Sequence, residues 1–486
     1  MKRAAIGVAA LVAALFVFML ARTMTVAAPA GAQTTAAPPI PVDSKLVANH
    51  LSQAIKFQTV SYGDGVKEKE KTSALEAMRD WMEMTYPNFH AAAGPEAFGE
   101  SLLFTWHGLN PNLPPVLLMA HLDVVPVVPG TEKDWAHGAF SGDIADGFVW
   151  GRGTIDDKGE VVAILDAAER LAAGGYQPQR TIMFAFGEDE EVGGKGNGRI
   201  AKAIQARGMH FAWVLDEGSP VANEPYPGAR TPLALISTGE KGFLSLELTA
   251  HGTGGHAARP SRDLALPRLS NAILNVVNNP FVSDLDDIQR AKLRILTPMV
   301  PFGQRFMLAN LWLTKPLVMR TLEAQPDTAA TLHTTISPTI LEAGIKENVI
   351  PPTARAVINF RLHQRDTIRS VTDHVKGAIG DPKVDIAERE ETVSESSKIV
   401  SENSPAYAYV ANAIRETFGV PVAPDLMTGA TDSREYLPLA DAVLRFRPFH
   451  ADPDDLVRVH GTNERVAVDD LGSAVDFFTR LMMELK

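Results

Sequence analysis

The sequence predicts an α/β protein interrupted by a second domain of different character, and three observations carry that reading. Four short apolar runs each break off into acidic residues or histidine. Residues 116–120 lead into His121 and Asp123, 149–150 into a Gly-Arg-Gly turn carrying Asp156 and Asp157, 181–186 into the carboxylates 188–191, and 211–215 into Asp216 and Glu217. A buried strand that ends in carboxylates or imidazole sets them at the edge of a sheet, where open α/β sheets hold ligands. Helical patterns alternate with these runs, as in residues 160–173 with Val161, Ile164, Leu165, Ala168 and Leu171 spaced along one stripe; that alternation predicts a central, mostly parallel sheet flanked by helices. After Gly239 the period changes: residues 243–250 and 354–362 alternate apolar and polar, the pattern of antiparallel strands with one wet face.

Taken in order, the chain opens with Lys2 and Arg3 before an uncharged stretch, 4–21, that Arg22 closes. At 18 residues this stretch is longer than an ordinary signal h-region and just short of the ~20 expected of a spanning helix, so residues 1–22 read as a signal peptide or a membrane anchor. The small residues 27–32 permit cleavage, and the excess of positive charge before the run leaves the body on the far side of the membrane. The expected location is periplasmic or extracellular, with the N-terminal segment a possible anchor. Residues 23–44, rich in Ala and Pro, form a linker. Residues 45–238 hold the first part of the α/β domain and 239–390 the inserted domain, with a helix near 266–277 and a long apolar stretch, 299–319, interrupted by Pro301 and Pro316. Residues 391–486 return to helix, strand and acidic loop, reaching His460 and a final helix over 469–485.

Composition narrows the chemistry. With 486 residues at 45% hydrophobic content the chain can bury the cores of two or three domains. A formal charge of −12 without any long cluster of Lys and Arg argues against a nucleic-acid partner, because phosphate binding needs such clusters. The chain has no cysteine, which excludes disulfides, thiolate zinc sites and cysteine nucleophiles, so any metal must be held by His, Asp and Glu.

Each candidate residue has a bland account beside the chemical one. His121-Leu122-Asp123 places imidazole and carboxylate on one side of an extended segment, where the acid can orient a ligating histidine, yet an isolated His-x-Asp is commonly a loop pair. Asp156 and Asp157 can simply cap a helix. Glu188 to Glu191 can be a solvated loop, although four carboxylates after a buried strand repel one another unless a cation sits among them. His256 can be a loop histidine, Arg434 a surface partner of Glu435 or Asp432, and residues 302–319 ordinary helix packing, a greasy wall for an acyl chain or a membrane-facing patch.

Together the residues resemble the di-zinc metallopeptidase family that includes aminoacylase-1, carboxypeptidase S, carnosinase and succinyl-diaminopimelate desuccinylase. The resemblance covers nearly everything after residue 45. It rests on Ala-His-Leu-Asp-Val-Val-Pro at 120–126, Gly-Arg-Gly-Thr-Ile-Asp-Asp-Lys-Gly at 151–159, Asp-Glu-Glu-Val-Gly-Gly at 189–194 and Leu-Asp-Glu-Gly at 215–218. It continues with Gly-Gly-His-Ala-Ala-Arg-Pro at 254–260, Asn-Val-Ile-Pro at 348–351, Thr-Asp-Ser-Arg at 431–434 and His-Gly-Thr-Asn-Glu at 460–464. The apolar insert before Asn348, with Asn-Leu-Trp-Leu at 310–313, looks most like the carboxypeptidase S and N-fatty-acyl amino acid synthase/hydrolase branch.

The resemblance implies a two-part catalytic domain, 45–238 and 391–486, and a lid and dimerisation domain, 239–390. It implies His121, Asp156, Glu191, Asp216 and His460 as ligands of two zinc ions, with cobalt or manganese as alternatives and Asp156 bridging. The ligand on the 215–218 motif falls on either Asp216 or Glu217, with Asp216 preferred. Glu190 becomes the general base and Asp123 the partner of His121. His256 would steady an oxyanion, often across a dimer, while Asn348 and Arg434 would hold substrate, Arg434 by clamping a carboxylate. The implied enzyme is a homodimeric hydrolase of peptides or N-acyl amino acids; the alternative is a binding protein that keeps the fold without catalysis.

Overall fold

The computed structural model describes residues 2–27, 35–63, 65–226, 228–229, 231–389 and 393–485, so most of the small-residue stretch 27–32 lies outside the described residues. The principal sheet has eight strands: β1 (Pro95–Phe98), β2 (Ser101–Trp106), β3 (Val116–His121), β6 (Ile182–Gly187), β7 (Trp213–Ala222), β8 (Leu233–Glu240), β15 (Val422–Met427) and β16 (Val443–Ala451). Their order is β1-β2-β6-β3-β7-β16-β8-β15. The centre, β6-β3-β7-β16, is parallel, as is β15 on β8, whereas β1 and β2 run antiparallel at one edge.

Period-two alternation explains why these strands read as unbroken apolar runs, since both faces are covered. Val116, Leu118 and Ala120 of β3 point into the core built with helices α2 (Ser44–Ile55), α3 (Glu68–Thr85), α4 (Pro87–Ala93), α5 (Lys158–Ala173), α13 (Pro405–Phe418) and α15 (Val468–Met483). Leu117 and Met119 point the other way, onto Ile200 and Ile204 of α6 (Lys195–Ala206) and onto Tyr436 and Leu439.

A four-stranded antiparallel sheet follows, with β9 (Gly242–His251), β11 (Thr335–Ala343), β13 (Thr353–Leu362) and β14 (Val384–Glu388) in the order β11-β13-β9-β14. One face, including Leu244, Leu246, Ile358 and Phe360, packs under α7 (Ala265–Val277) and α12 (Ile368–Ile379), as the alternation predicts. Two small sheets complete the fold: β4 (Ile144–Ala145), β5 (Phe148–Trp150) and β17 (Arg465–Ala467), and the ribbon of β10 (Gly255–His256) with β12 (Val349–Ile350). The apolar insert folds as α8 (Asp287–Leu296), α9 (Phe302–Ala309), α10 (Leu311–Glu323) and α11 (Pro326–Ala330). Of these, α8, α9 and α10 leave the four-stranded sheet and share a core with Leu233 and Leu235 of β8 and Ala423 of β15. The N-terminal helix α1 (Lys2–Thr25) lies beside α9.

Candidate metal centre

The site forms at the ends of β3 and β6, as the sequence pattern predicts, and midway along β7, which continues past Asp216 and Glu217 to Ala222 where the pattern predicts its end. His121, the last residue of β3, is buried; its Nδ1 lies 3.0 Å from the Asp123 carbonyl oxygen and 3.4 Å from Asp123 Oδ1. Its Nε2 meets Asp156 Oδ1 at 3.2 Å and Glu217 Oε1 at 3.6 Å. Asp156 reaches the other imidazole through Oδ2, 3.1 Å from His460 Nε2, and that nitrogen is 3.2 Å from Glu191 Oε2. Asp156 therefore sits between the two histidines. Asp157 occupies the N-cap position of α5 without a capping hydrogen bond from its side chain; its Oδ2 accepts the His121 N–H at 3.3 Å instead.

The acidic loop after β6 divides its four carboxylates among different tasks. Glu188 pairs with Arg199, Asp189 Oδ1 accepts the Gly196 N–H at 2.8 Å in the first turn of α6, and Glu190 and Glu191 turn toward the centre. Asp123 aims that loop: Oδ1 accepts the Glu190 N–H at 3.1 Å, and Oδ2 accepts the Glu191 N–H at 3.3 Å and the Ser61 hydroxyl at 2.6 Å. Its carboxylate thus shapes the loop at closer range than it touches His121.

On β7, the structure brings Glu217 into the cluster, in place of the Asp216 preferred from the sequence. Neighbouring strand residues face opposite ways, and Asp216 Oδ2 accepts the Ser433 N–H at 2.8 Å on the far side. Gly218 permits the close approach of β16, because an added Cβ would meet the Arg445 carbonyl carbon at 2.6 Å. That approach delivers Arg447, whose Nη2 donates to Asp156 Oδ1 at 3.0 Å and to Glu217 Oε2.

A second framework residue holds the Gly-Arg-Gly turn. Buried Glu464 accepts the N–H groups of Gly153, Ile155 and Asp156 on Oε1 at 3.0, 2.9 and 3.1 Å, and its Oε2 takes Arg152 Nη1 at 2.5 Å. The motif ending at Glu464 contains the signal for this role, whereas no motif marks Arg447. Arg434 lies against the acidic loop, donating Nη2 to the Gly193 carbonyl at 3.0 Å. His256 and Asn348 sit together on the exposed ribbon, where Ala257 N–H donates to the Asn348 carbonyl at 3.1 Å. No hydrogen bond among the described residues joins that ribbon to the metal centre.

Electrostatics and geometry both suit a cation. Donor atoms of His121, Asp156 and Glu191, and separately of His121, Asp157 and Glu217, converge within 4.8 Å of one another. Asp157 Oδ1, Glu191 Oε1 and both carboxylate oxygens of Glu160 are buried without a hydrogen-bond partner. Burial pushes Asp157, Glu160, Glu190 and Glu217 well above the usual carboxylate range, with neighbouring carboxylates adding to the effect. Burial opposes the Asp156 charge too, but Arg447 and the two imidazoles hold it well below that range. The hydrogen bonds to Asp156 and Glu191 push His460 up to about 10. Buried carboxylates and imidazoles in this mixture are the oxygen and nitrogen donors that zinc-type ions take.

A His, Asp and Glu cluster at the edge of a mixed α/β sheet, beside a smaller antiparallel domain, defines a metallohydrolase class. The chain belongs to Peptidase family M20/M25/M40, whose sequence profile matches residues 117–484, and it is a metallopeptidase-family enzyme as the motifs imply. It is 36% identical over 445 residues to a probable carboxypeptidase S-like 2 of Dictyostelium discoideum, covering 90% of this chain and 84% of the relative. It is 34% identical over 438 residues to the N-fatty-acyl-amino acid synthase/hydrolase PM20D1 of Homo sapiens, covering 89% and 86%. Among solved structures, human carnosine dipeptidase 1 shares the fold, with a TM-score of 0.63 at 16% identity over 92% of this chain and 99% of that one.

Proposed function

We propose that this chain is an exported, two-metal hydrolase that cleaves an amide bond next to an amino acid bearing a free carboxylate, either a peptide C-terminal residue or an N-acyl amino acid. The observation that carries this reading is the placement of Asp156 between His121 and His460, with Glu191 on one side and Glu217 on the other. His121, Asp156 and Glu217 would hold one ion, and His460, Asp156 and Glu191 the other; zinc suits the donors best. Two bound cations supply Lewis-acid polarisation of the scissile carbonyl and a water of lowered pKa.

The chain's own residues supply the rest. Glu190 takes the proton of the attacking water and returns it to the leaving amine, and its burial beside Glu191 and Glu217 favours such proton traffic near neutral pH. Asp123 is a positioning residue, since it orients His121 and the backbone of both glutamates. Arg434, two residues beyond Asp432 and close to the acidic loop, clamps the substrate carboxylate. His256 donates to the developing oxyanion and Asn348 holds the substrate, both arriving with the lid domain.

The test is a panel of dipeptides and N-acyl amino acids offered with free and with amidated carboxyl ends. Cleavage confined to free carboxylates, abolished by a chelator and restored by zinc, cobalt or manganese, supports the reading. Equal rates on amidated substrates remove the clamp, and activity in verified metal-free protein removes the site.

A further inference from the structure

The geometry points to a second membrane contact in this chain: α1 is retained as an anchor, and the outer face of α9 and α10 lies in the lipid headgroup and outer acyl region beside it. α1 carries 24 residues of mean window hydropathy 2.7, and most of its length is exposed, including Ile6, Leu11 and Val17. Only Met19 and Thr23 of this helix are buried, and both are buried by α9 and the turn after it. Asn310 Nδ2 donates to the Met19 carbonyl at 3.2 Å and to Thr23 Oγ1 at 3.3 Å, while Arg22 Nε donates to the Ala309 carbonyl at 3.3 Å. Phe16 packs on Phe306 with ring centres 5.8 Å apart, and Phe18 meets Trp312 edge-on at 6.4 Å. These contacts give α1 a specific seat on the folded body, which a discarded export signal has no need of.

Helix length then decides depth. The uncharged run 4–21 holds 18 residues, or roughly 27 Å of helix at 1.5 Å per residue, against a hydrocarbon core of about 30 Å. The run spans the core only if all of it is immersed, Phe16 and Phe18 included. Phe306 and Trp312, in contact with those rings, must then lie at the same level. The neighbouring surface agrees, since Phe302, Trp312 and Leu317 are 52%, 54% and 59% exposed on α9 and α10, large apolar side chains that water alone does not favour. Aromatic side chains at this level suit the membrane interface. Residues 302–323 also carry Arg305, Lys315 and Arg320 against the single acid Glu323, with Lys315 paired to Asp284, a basic local balance in a chain of charge −12 and one that favours anionic headgroups. The body is therefore held by a spanning helix and by an interfacial helix pair that contact one another directly.

The experiment uses the full chain in vesicles of phosphatidylcholine with a minority of phosphatidylglycerol, their acyl chains brominated to quench nearby tryptophan. Wild type should lose a part of its emission that Trp312→Phe no longer loses, and Leu317→Trp in the Trp312→Phe background should restore a quenchable signal. The intact mass of the exported protein should include residues 2–25. Equal quenching of wild type and Trp312→Phe, with Leu317→Trp silent, would overturn the bilayer assignment, as would cross-linking between copies through position 312 in place of quenching. A mature chain that begins beyond residue 25 would overturn it as well.

Discussion

At the scale of single residues, the two glutamates and the Asp216–Glu217 pair make opposed predictions. Glu217→Ala should lower bound metal measurably, whereas Asp216→Asn should keep metal content near normal and act on stability through the Ser433 N–H it accepts. Glu190→Ala should also keep its metal while turnover falls by about two to four powers of ten, the range for a general acid–base group; metal analysis beside kinetics separates these cases, and a metal-free Glu190→Ala protein would reverse the assignment. Lys241 supplies a test outside the site. It is 1% exposed, its Nζ donates to the Ala330 and His333 carbonyls at 2.8 Å each, and burial, aided by Arg361, pushes its pKa down to about 7. An unfolded lysine stays charged to about pH 10.4, so between those values the unfolded state binds more protons and stability rises with pH. Thermal melts from pH 7 upward should show that rise in wild type and a flatter profile in Lys241→Met; parallel profiles would count against a neutral Lys241. Much of the site is legible in the sequence, because His121, Asp156, Glu191 and His460 stand at strand and loop ends within recognisable motifs. Which residue of β7 faces the cluster is not, since choosing between adjacent residues requires the parity of the strand, and a shift of one residue exchanges its faces. Arg447 is invisible for a related reason: it enters where β16 loses regular pairing with β7 between Arg445 and His450.

At the scale of elements, the Gly-Arg-Gly turn depends on a residue more than three hundred positions away in the chain. Glu464 closes the turn on itself by accepting the N–H groups of Gly153, Ile155 and Asp156 and the Arg152 guanidinium, while Arg152 also donates to the Gly461 carbonyl at 2.7 Å, just after His460. One buried ion pair therefore sets the positions of Asp156 and His460 together. Glu464→Ala leaves a buried guanidinium without its partner, which costs about 3–5 kcal/mol, and it should also weaken metal retention although Glu464 touches no ion. Denaturant unfolding reads the first effect and metal analysis the second; normal metal binding in a destabilised variant would show that the turn holds its shape without the carboxylate. The insert behaves differently from its neighbours in sequence. Period-two alternation announces β9 and β13, but the apolar run 299–319 carries no mark of its destination, and only the fold reveals that α8, α9 and α10 extend the core of β8 and β15.

At the scale of the whole molecule, the role proposed for His256 requires a route from the ribbon to the metal centre. It sits on the exposed ribbon with Asn348, its Nδ1 accepting the Ala258 N–H at 3.0 Å, while the metal centre is built on the eight-stranded sheet. The chain crosses from β8 to β9 at Lys241, so the two bodies meet near that crossing, and His256 can act only through closure of the lid or through a second subunit. A homodimer formed through residues 239–390 is the arrangement expected. His256→Ala should reduce turnover without reducing metal content, because an oxyanion donor contributes about 2.7–4 kcal/mol in the transition state. Mixing inactive His256→Ala with inactive Glu190→Ala distinguishes the two routes. If the histidine serves its partner, a mixed dimer contains one site with both residues intact, and activity returns to a fraction of wild type that follows the proportion of mixed dimers. If verified mixed dimers stay inactive, His256 serves its own chain by lid closure or takes no part in the chemistry, and the kinetics of the single variant decide between those two.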